Sequence, residues 1–135
     1  MTVATVEELL REIVGCPDMI LVVGGEHAVS EGMLEAGAAK WSTGEGWANV
    51  EAPGWHIHLH LARVAQVRFV EEPSACLGGR TSYSIRLADA RGEALLRIYF
   101  NNLYDEAGAL RPERRALLDD LQRRFGHLTA GTGSG

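Results

Sequence analysis

The chain has 135 residues, 46% hydrophobic and 23% charged, a balance that excludes wholesale disorder and allows a core without disulfide or zinc staples. Lys and Arg number 13 against 18 Asp and Glu, and the resulting net charge of −5 argues against nucleic acid or an anionic membrane as the main partner. No apolar run approaches the roughly 20 residues of a membrane span, and the N-terminus lacks the basic region of a signal peptide. Cys16 and Cys76 stand alone, with no C-x-x-C pair, the usage of a reducing compartment such as the cytoplasm. One domain over residues 1–130 and a flexible tail at 131–135 are expected.

In chain order, Thr5 and Glu8 form a capping box, and Val6, Leu9, Leu10 and Ile13 recur at helical spacing until Gly15 and Pro17, predicting a helix over 5–14. Met19 to Val23 is a short β-rich run closed by Gly24-Gly25. Residues 26–50 mix Ala, Gly, Glu and Trp and predict short irregular strands with a turn at 42–46. Trp55 to Leu61 alternates without a fault between apolar residues and His56, His58 and His60. Further strands are predicted at 64–70, 81–87 and 94–100, joined by the loop at Pro73 to Gly79 and the turn at Asp89 to Gly92. A last helix over 112–125 has Pro112 in its first turn and the stripe Leu117, Leu118, Leu121 and Phe125, with Gly126 suited to the C′ position. Strands between terminal helices predict an α+β fold, one antiparallel meander with both helices on its apolar face.

Packing the helices on the apolar face gathers the polar sets on the other: His56, His58, His60, Arg68, Arg86, Arg97 and Tyr99, given suitable registers. Adjacent members of the His56-x-His58-x-His60 run lie about 6.5–7 Å apart at Cα and can share an ion, whereas His56 and His60 are roughly 13 Å apart, too far for one tetrahedral zinc. A zinc site would combine one adjacent pair with His27, Glu26 or Cys76; a solvent-facing or dimer-facing strand explains the run equally well. Gly24-Gly25 matches no phosphate-loop pattern and reads as a turn. Trp41, Trp47 and Trp55 are either flat walls for a planar ligand or ordinary packing in a chain with 7% aromatics.

The glycine turn at Gly54 leads into the histidine strand; then come T-S-Y-S-I-R-L at 81–87, D-A-R-G-E-A at 89–94, L-L-R-I-Y-F at 95–100, a short acidic loop and an amphipathic helix. From Gly54 to Phe125 this order resembles the cytoplasmic heme-utilisation proteins of bacteria, the HemS/ChuX-like group. The resemblance implies a large antiparallel sheet with edge helices, a homodimer of single copies, and heme bound through histidine with basic residues at the propionates. Such proteins are carriers or, in some members, heme-degrading factors. One family histidine falls near Pro53, with His56 the nearest replacement and His58 and His60 close behind; a second ligand falls near Gly24, with His27 nearby. Arg68 and Arg86 would meet the propionates, Tyr99 is an alternative axial oxygen, and Glu71 and Glu72 stand where relatives carry basic residues. Three functions are therefore compared: a heme carrier without turnover, a zinc or iron enzyme using the H-x-H strand through His56 and His58, and a non-catalytic homodimer that keeps only the fold.

Overall fold

The computed structural model describes residues 5–128 apart from positions 26 and 36; the expected tail at 131–135 lies outside the described residues. The elements in chain order are α1 (Val6–Val14), β1 (Met19–Gly24), β2 (Val29–Leu34), β3 (Lys40–Gly44), β4 (Trp47–Ala52), β5 (Trp55–His60), β6 (Gln66–Pro73), β7 (Thr81–Ala88), β8 (Ala94–Phe100) and α2 (Pro112–Phe125). At the head of α1 the Glu8 N–H donates to the Thr5 hydroxyl at 3.1 Å, satisfying one orphan donor, while Val6, Leu9, Leu10 and Ile13 are buried as their spacing requires.

The strands form two sheets where the alternation suggested one. A five-stranded antiparallel sheet runs β2-β1-β8-β7-β6, and a three-stranded sheet runs β3-β4-β5. The stretch expected to be irregular is instead regular strand from β2 to β4. Its weakly β-forming composition hid the pattern, and the turn chemistry supplies what propensity lacks. Glu45 and Gly46 adopt φ values of 53° and 85° in the two-residue link between β3 and β4, the backbone of a tight hairpin. Pro53 and Gly54 close the next link, with Gly54 at φ 89°.

Both sheets and both helices contribute to one hydrophobic cluster. From the five-stranded sheet come Leu21, Ile85, Leu87 and Ile98, all 0% exposed; the smaller sheet adds Val50 and Leu59, and α2 adds Leu118, Leu121 and Phe125. The two sheets approach where Trp55 covers Gly32: a Cβ built on Gly32 would lie 2.8 Å from indole Cδ2 and Cε2. α2 carries an inward arginine that its apolar stripe did not announce. Arg114, 5% exposed, donates to the carbonyls of Pro17 at 3.0 Å and Asp18 at 2.8 Å. Burial pulls its guanidinium below the usual arginine range, and the nearby Asp18 opposes that pull. Gly126 ends α2 in right-handed geometry (φ −65°, ψ −17°), donating to Gln122 at 2.8 Å, so the left-handed stop that glycine permits is not used. Among the described residues no helix is long and apolar enough to cross a membrane.

Gly32→Ala is expected to destabilise by about 1–3 kcal/mol, because a rigid indole must move to admit the methyl group. Arg114→Met is expected to cost about 2–4 kcal/mol by stranding two carbonyls, whereas Arg115→Met, which loses an exposed pair with Asp119 and a long 3.4 Å bond to the Tyr83 hydroxyl, should stay within about 1 kcal/mol. Urea unfolding of the three variants checks both statements.

Candidate functional site

Because strand residues alternate, each sheet keeps a face turned away from the shared core. On the five-stranded sheet, register places Arg68 opposite Arg86 and Arg86 opposite Arg97; Arg97 in turn stands opposite Val22, and Val22 opposite Glu31. Three guanidinium stems therefore line up across β6, β7 and β8. Two residues along, the same face carries Val70, Ser84, Tyr99, Ile20 and Met33 in a second row. Rows two residues apart are separated by about 6.5–7 Å, so a cationic edge borders a largely apolar strip. Met33 is 50% exposed and Val29, at the sheet margin, 55%.

Like charges directly opposite one another are unfavourable, and this row is only partly neutralised. Arg86 Nη2 pairs with Glu72 at 2.9 Å, while its Nε is buried with no hydrogen-bond partner. Arg68 Nε donates to the neutral Gln66 at 3.2 Å, and Arg97 Nη2 reaches the Gly24 carbonyl at 3.5 Å. Among the described residues neither Arg68 nor Arg97 forms a salt bridge. Arg86 and Arg97, with Gly24, Gly25, Glu93 and Ala94, line an open cleft of about 770 Å³. His27 lies exposed in the β1–β2 loop that continues from Gly25. Gly24 and Gly25, which read as a plain turn, thus form one wall of the cleft.

The histidines are elsewhere. His56, His58 and His60 lie on β5, in the three-stranded sheet. They share its outer face with Trp47, Asn49 and Glu51, their partners on β4. The expected gathering of histidines and arginines on one face is corrected: alternation assigned each residue to a face, but not each strand to a sheet. The tryptophans do not form a single wall either. Trp55 packs inward on Gly32, Trp41 packs against the core, and Trp47, 42% exposed, stacks on His60 with ring centroids 4.8 Å apart. Among the described residues no group of three His, Cys, Asp or Glu converges as a metal site. A zinc set adding His27 or Cys76 to the H-x-H pair is therefore not assembled, and Glu26 lies outside the described residues. The expected shared face of Arg68, Arg86, Arg97 and Tyr99 is present in the register; the pairing of Glu72 with Arg86 was not expected, although the two-residue period along β6, which puts Glu72 on the face of Arg68, carried that information.

The fold defined by these two sheets and flanking helices occurs in solved heme proteins. The heme-binding protein ChuX superposes with a TM-score of 0.69 at 16% identity, over 87% of this chain and 70% of its own. Heme-binding PhuS of Pseudomonas aeruginosa gives 0.66 at 20% identity over 84% of this chain, and the Escherichia coli heme oxygenase ChuS 0.67 at 18% over 87%. The chain spans only 32% of PhuS and 35% of ChuS. A family model matches residues 7–127, and the chain belongs to the HemS/ChuX-like family. No curated protein matches it in sequence.

The two thiols differ in environment. Cys76 is exposed, whereas Cys16 is partly buried and donates to the Glu12 carbonyl at 3.2 Å. Burial pushes the Cys16 thiol up, against the opposing pull of Arg114, which suppresses the reactive thiolate. Iodoacetamide at pH 8 is expected to label Cys76 first, with Cys16 labelled at least about tenfold more slowly until the protein is unfolded; peptide mass mapping reads the order.

Proposed function

We propose that this protein is a heme carrier, acting in the cytoplasm without turnover of its own, and that heme lies on the outer face of the five-stranded sheet. The observation that carries the reading is the in-register row Arg68, Arg86 and Arg97 beside the strip of Ile20, Val70 and Tyr99. Heme is an apolar plate with two carboxylates at one edge, and this face offers the complementary pattern. The relatives named as heme-binding, ChuX and PhuS, support the same ligand.

In this reading Arg86 and Arg97 hold the propionates, with Arg68 at the end of the row. His27, on the loop that walls the cleft, ligates the iron, and Tyr99 is the alternative oxygen ligand. His56 or His58 could serve as the axial ligand only for a heme lying on the other sheet, away from the arginines. Bound heme would supply the iron; the chain's own residues contribute its binding and orientation. Exposed Val29 and Met33 suit a second copy closing over this face, so the reading includes a homodimer.

Hemin titration followed at the Soret band tests the proposal. A saturable, sharpened band at about one heme per chain is expected. Arg86→Ala/Arg97→Ala should weaken binding at least about tenfold, the loss of two charge-assisted contacts, and His27→Ala should shift the band. His56→Ala/His58→Ala should leave it unchanged. A featureless band, or loss only in the His56/His58 variant, would overturn this site. Persistence of the band under ascorbate and oxygen is expected of a carrier, whereas its decay would show turnover, as in an enzyme like ChuS. Light scattering should give twice the chain mass.

A further inference from the structure

The outer face of the three-stranded sheet has no part in the heme reading, yet its side chains are ordered in a way that a solvent-facing strand does not require. Register stacks three rows across β3, β4 and β5: Lys40, Glu51 and His56; Ser42, Asn49 and His58; Gly44, Trp47 and His60. In the middle row, Asn49 Nδ2 donates to the Ser42 hydroxyl at 3.3 Å. That bond turns the amide so that Asn49 Oδ1 meets His58 Nδ1 at 2.7 Å. An amide oxygen only accepts, so Nδ1 of His58 carries a proton, and in the neutral ring that leaves the lone pair on Nε2. A partner that fixes the tautomer of an imidazole through its other nitrogen is the usual outer support of a metal-ligating histidine.

His56 stands beside it. The two rings have centroids 5.0 Å apart and are tilted by 54°. An ion about 2.0–2.1 Å from one nitrogen of each ring holds the centroids about 4.5–5.2 Å apart when the angle at the metal is between about 90° and 109°. The observed spacing already falls in that interval. Among the described residues none hydrogen-bonds the His56 ring, and its cross-strand partner Glu51 places a carboxylate about 5 Å away at Cβ. Lys40 lies beyond Glu51 in the same row and is the cation that the described residues of this face place beside the group. His60 is drawn aside by its stack on Trp47, leaving two protein ligands, with water completing the coordination.

We propose that His56 and His58 form a chelating pair for a borderline divalent transition metal ion, oriented by Asn49 and Ser42 and separate from the heme face. The expected order of affinity is Cu²⁺ above Ni²⁺ and Zn²⁺, as imidazole pairs dictate.

Isothermal titration of Cu²⁺ and Ni²⁺ into untagged, metal-free protein tests the proposal, with hemin titration of the same samples in parallel. One ion per chain is expected. His56→Gln and His58→Gln should each abolish saturable binding at micromolar metal. Asn49→Ala should weaken it about tenfold, the scale of outer support, and Asn49→Asp, which can only accept from the ring, should restore it. His60→Gln should take up the metal as the native chain does. Equal uptake in native protein and in a His56→Gln/His58→Gln variant would overturn the site, as would absence of uptake in the native chain. Asn49→Ala and Asn49→Asp binding alike would overturn the positioning role. Because the paired histidine variant keeps its Soret titration in the heme reading, failure of one proposal is distinguishable from failure of the other.

Discussion

Everything in this molecule depends on two sheets and two helices sharing one apolar volume. Each strand can give that volume only every second residue, so Leu21, Ile85, Ile98, Val50 and Leu59 go inward and the residues between them must face away. The five-stranded sheet is covered on its inner face by the helices and the smaller sheet, whose approach is set where Trp55 lies on Gly32. Its other face is left bare, as is the outer face of the smaller sheet. Burial thus creates two exposed, compositionally different surfaces without any residue having to be placed on a loop.

The bare face of the larger sheet carries an energetic debt. Three arginines in register repel one another across adjacent strands, and Glu72 neutralises one of them. A sheet stabilised only for its own sake would alternate signs along that row. The uncompensated charge is tolerable because the stems lie on the sheet while the guanidinium ends reach toward water. In the proposed reading, an anionic ligand edge would make it favourable. Ser84, small and 2% exposed, lies between Val70 and Tyr99 in the neighbouring row.

Most of the fold was legible in the sequence, because helical and two-residue periods are local properties. α1 opens at its Thr5 cap, α2 spans the expected residues, and β5, β7 and β8 fall within a residue of their predicted ends. The region from β2 to β4 was not legible, since Ala, Gly and Glu give little β signal and its strands are specified by the turns at Glu45-Gly46 and Pro53-Gly54. The arginine row was legible as a shared face. Its separation from His56, His58 and His60 was not, because sheet membership depends on which edges pair, and alternation carries no information about that. Arg114 escaped for a related reason: its partners are the carbonyls of Pro17 and Asp18, about a hundred positions away, and no local pattern announces such a bond.

That distance has a consequence for the order in which the molecule can assemble. β1 takes its second neighbour from β8, with Met19 opposite Phe100, and α1 receives Arg124 at Glu12. During synthesis the hairpin of β1 and β2 therefore emerges long before the strand that completes the sheet beside it, and α1 emerges before the helix that clamps it. The three-stranded sheet, built from consecutive hairpins, can close early, whereas the larger sheet must wait for long-range closure. Until β8 arrives, one side of β1 is an open hydrogen-bonding edge beside the apolar side chains of Leu21 and Val22, the part of the nascent chain most exposed to pairing with a neighbour.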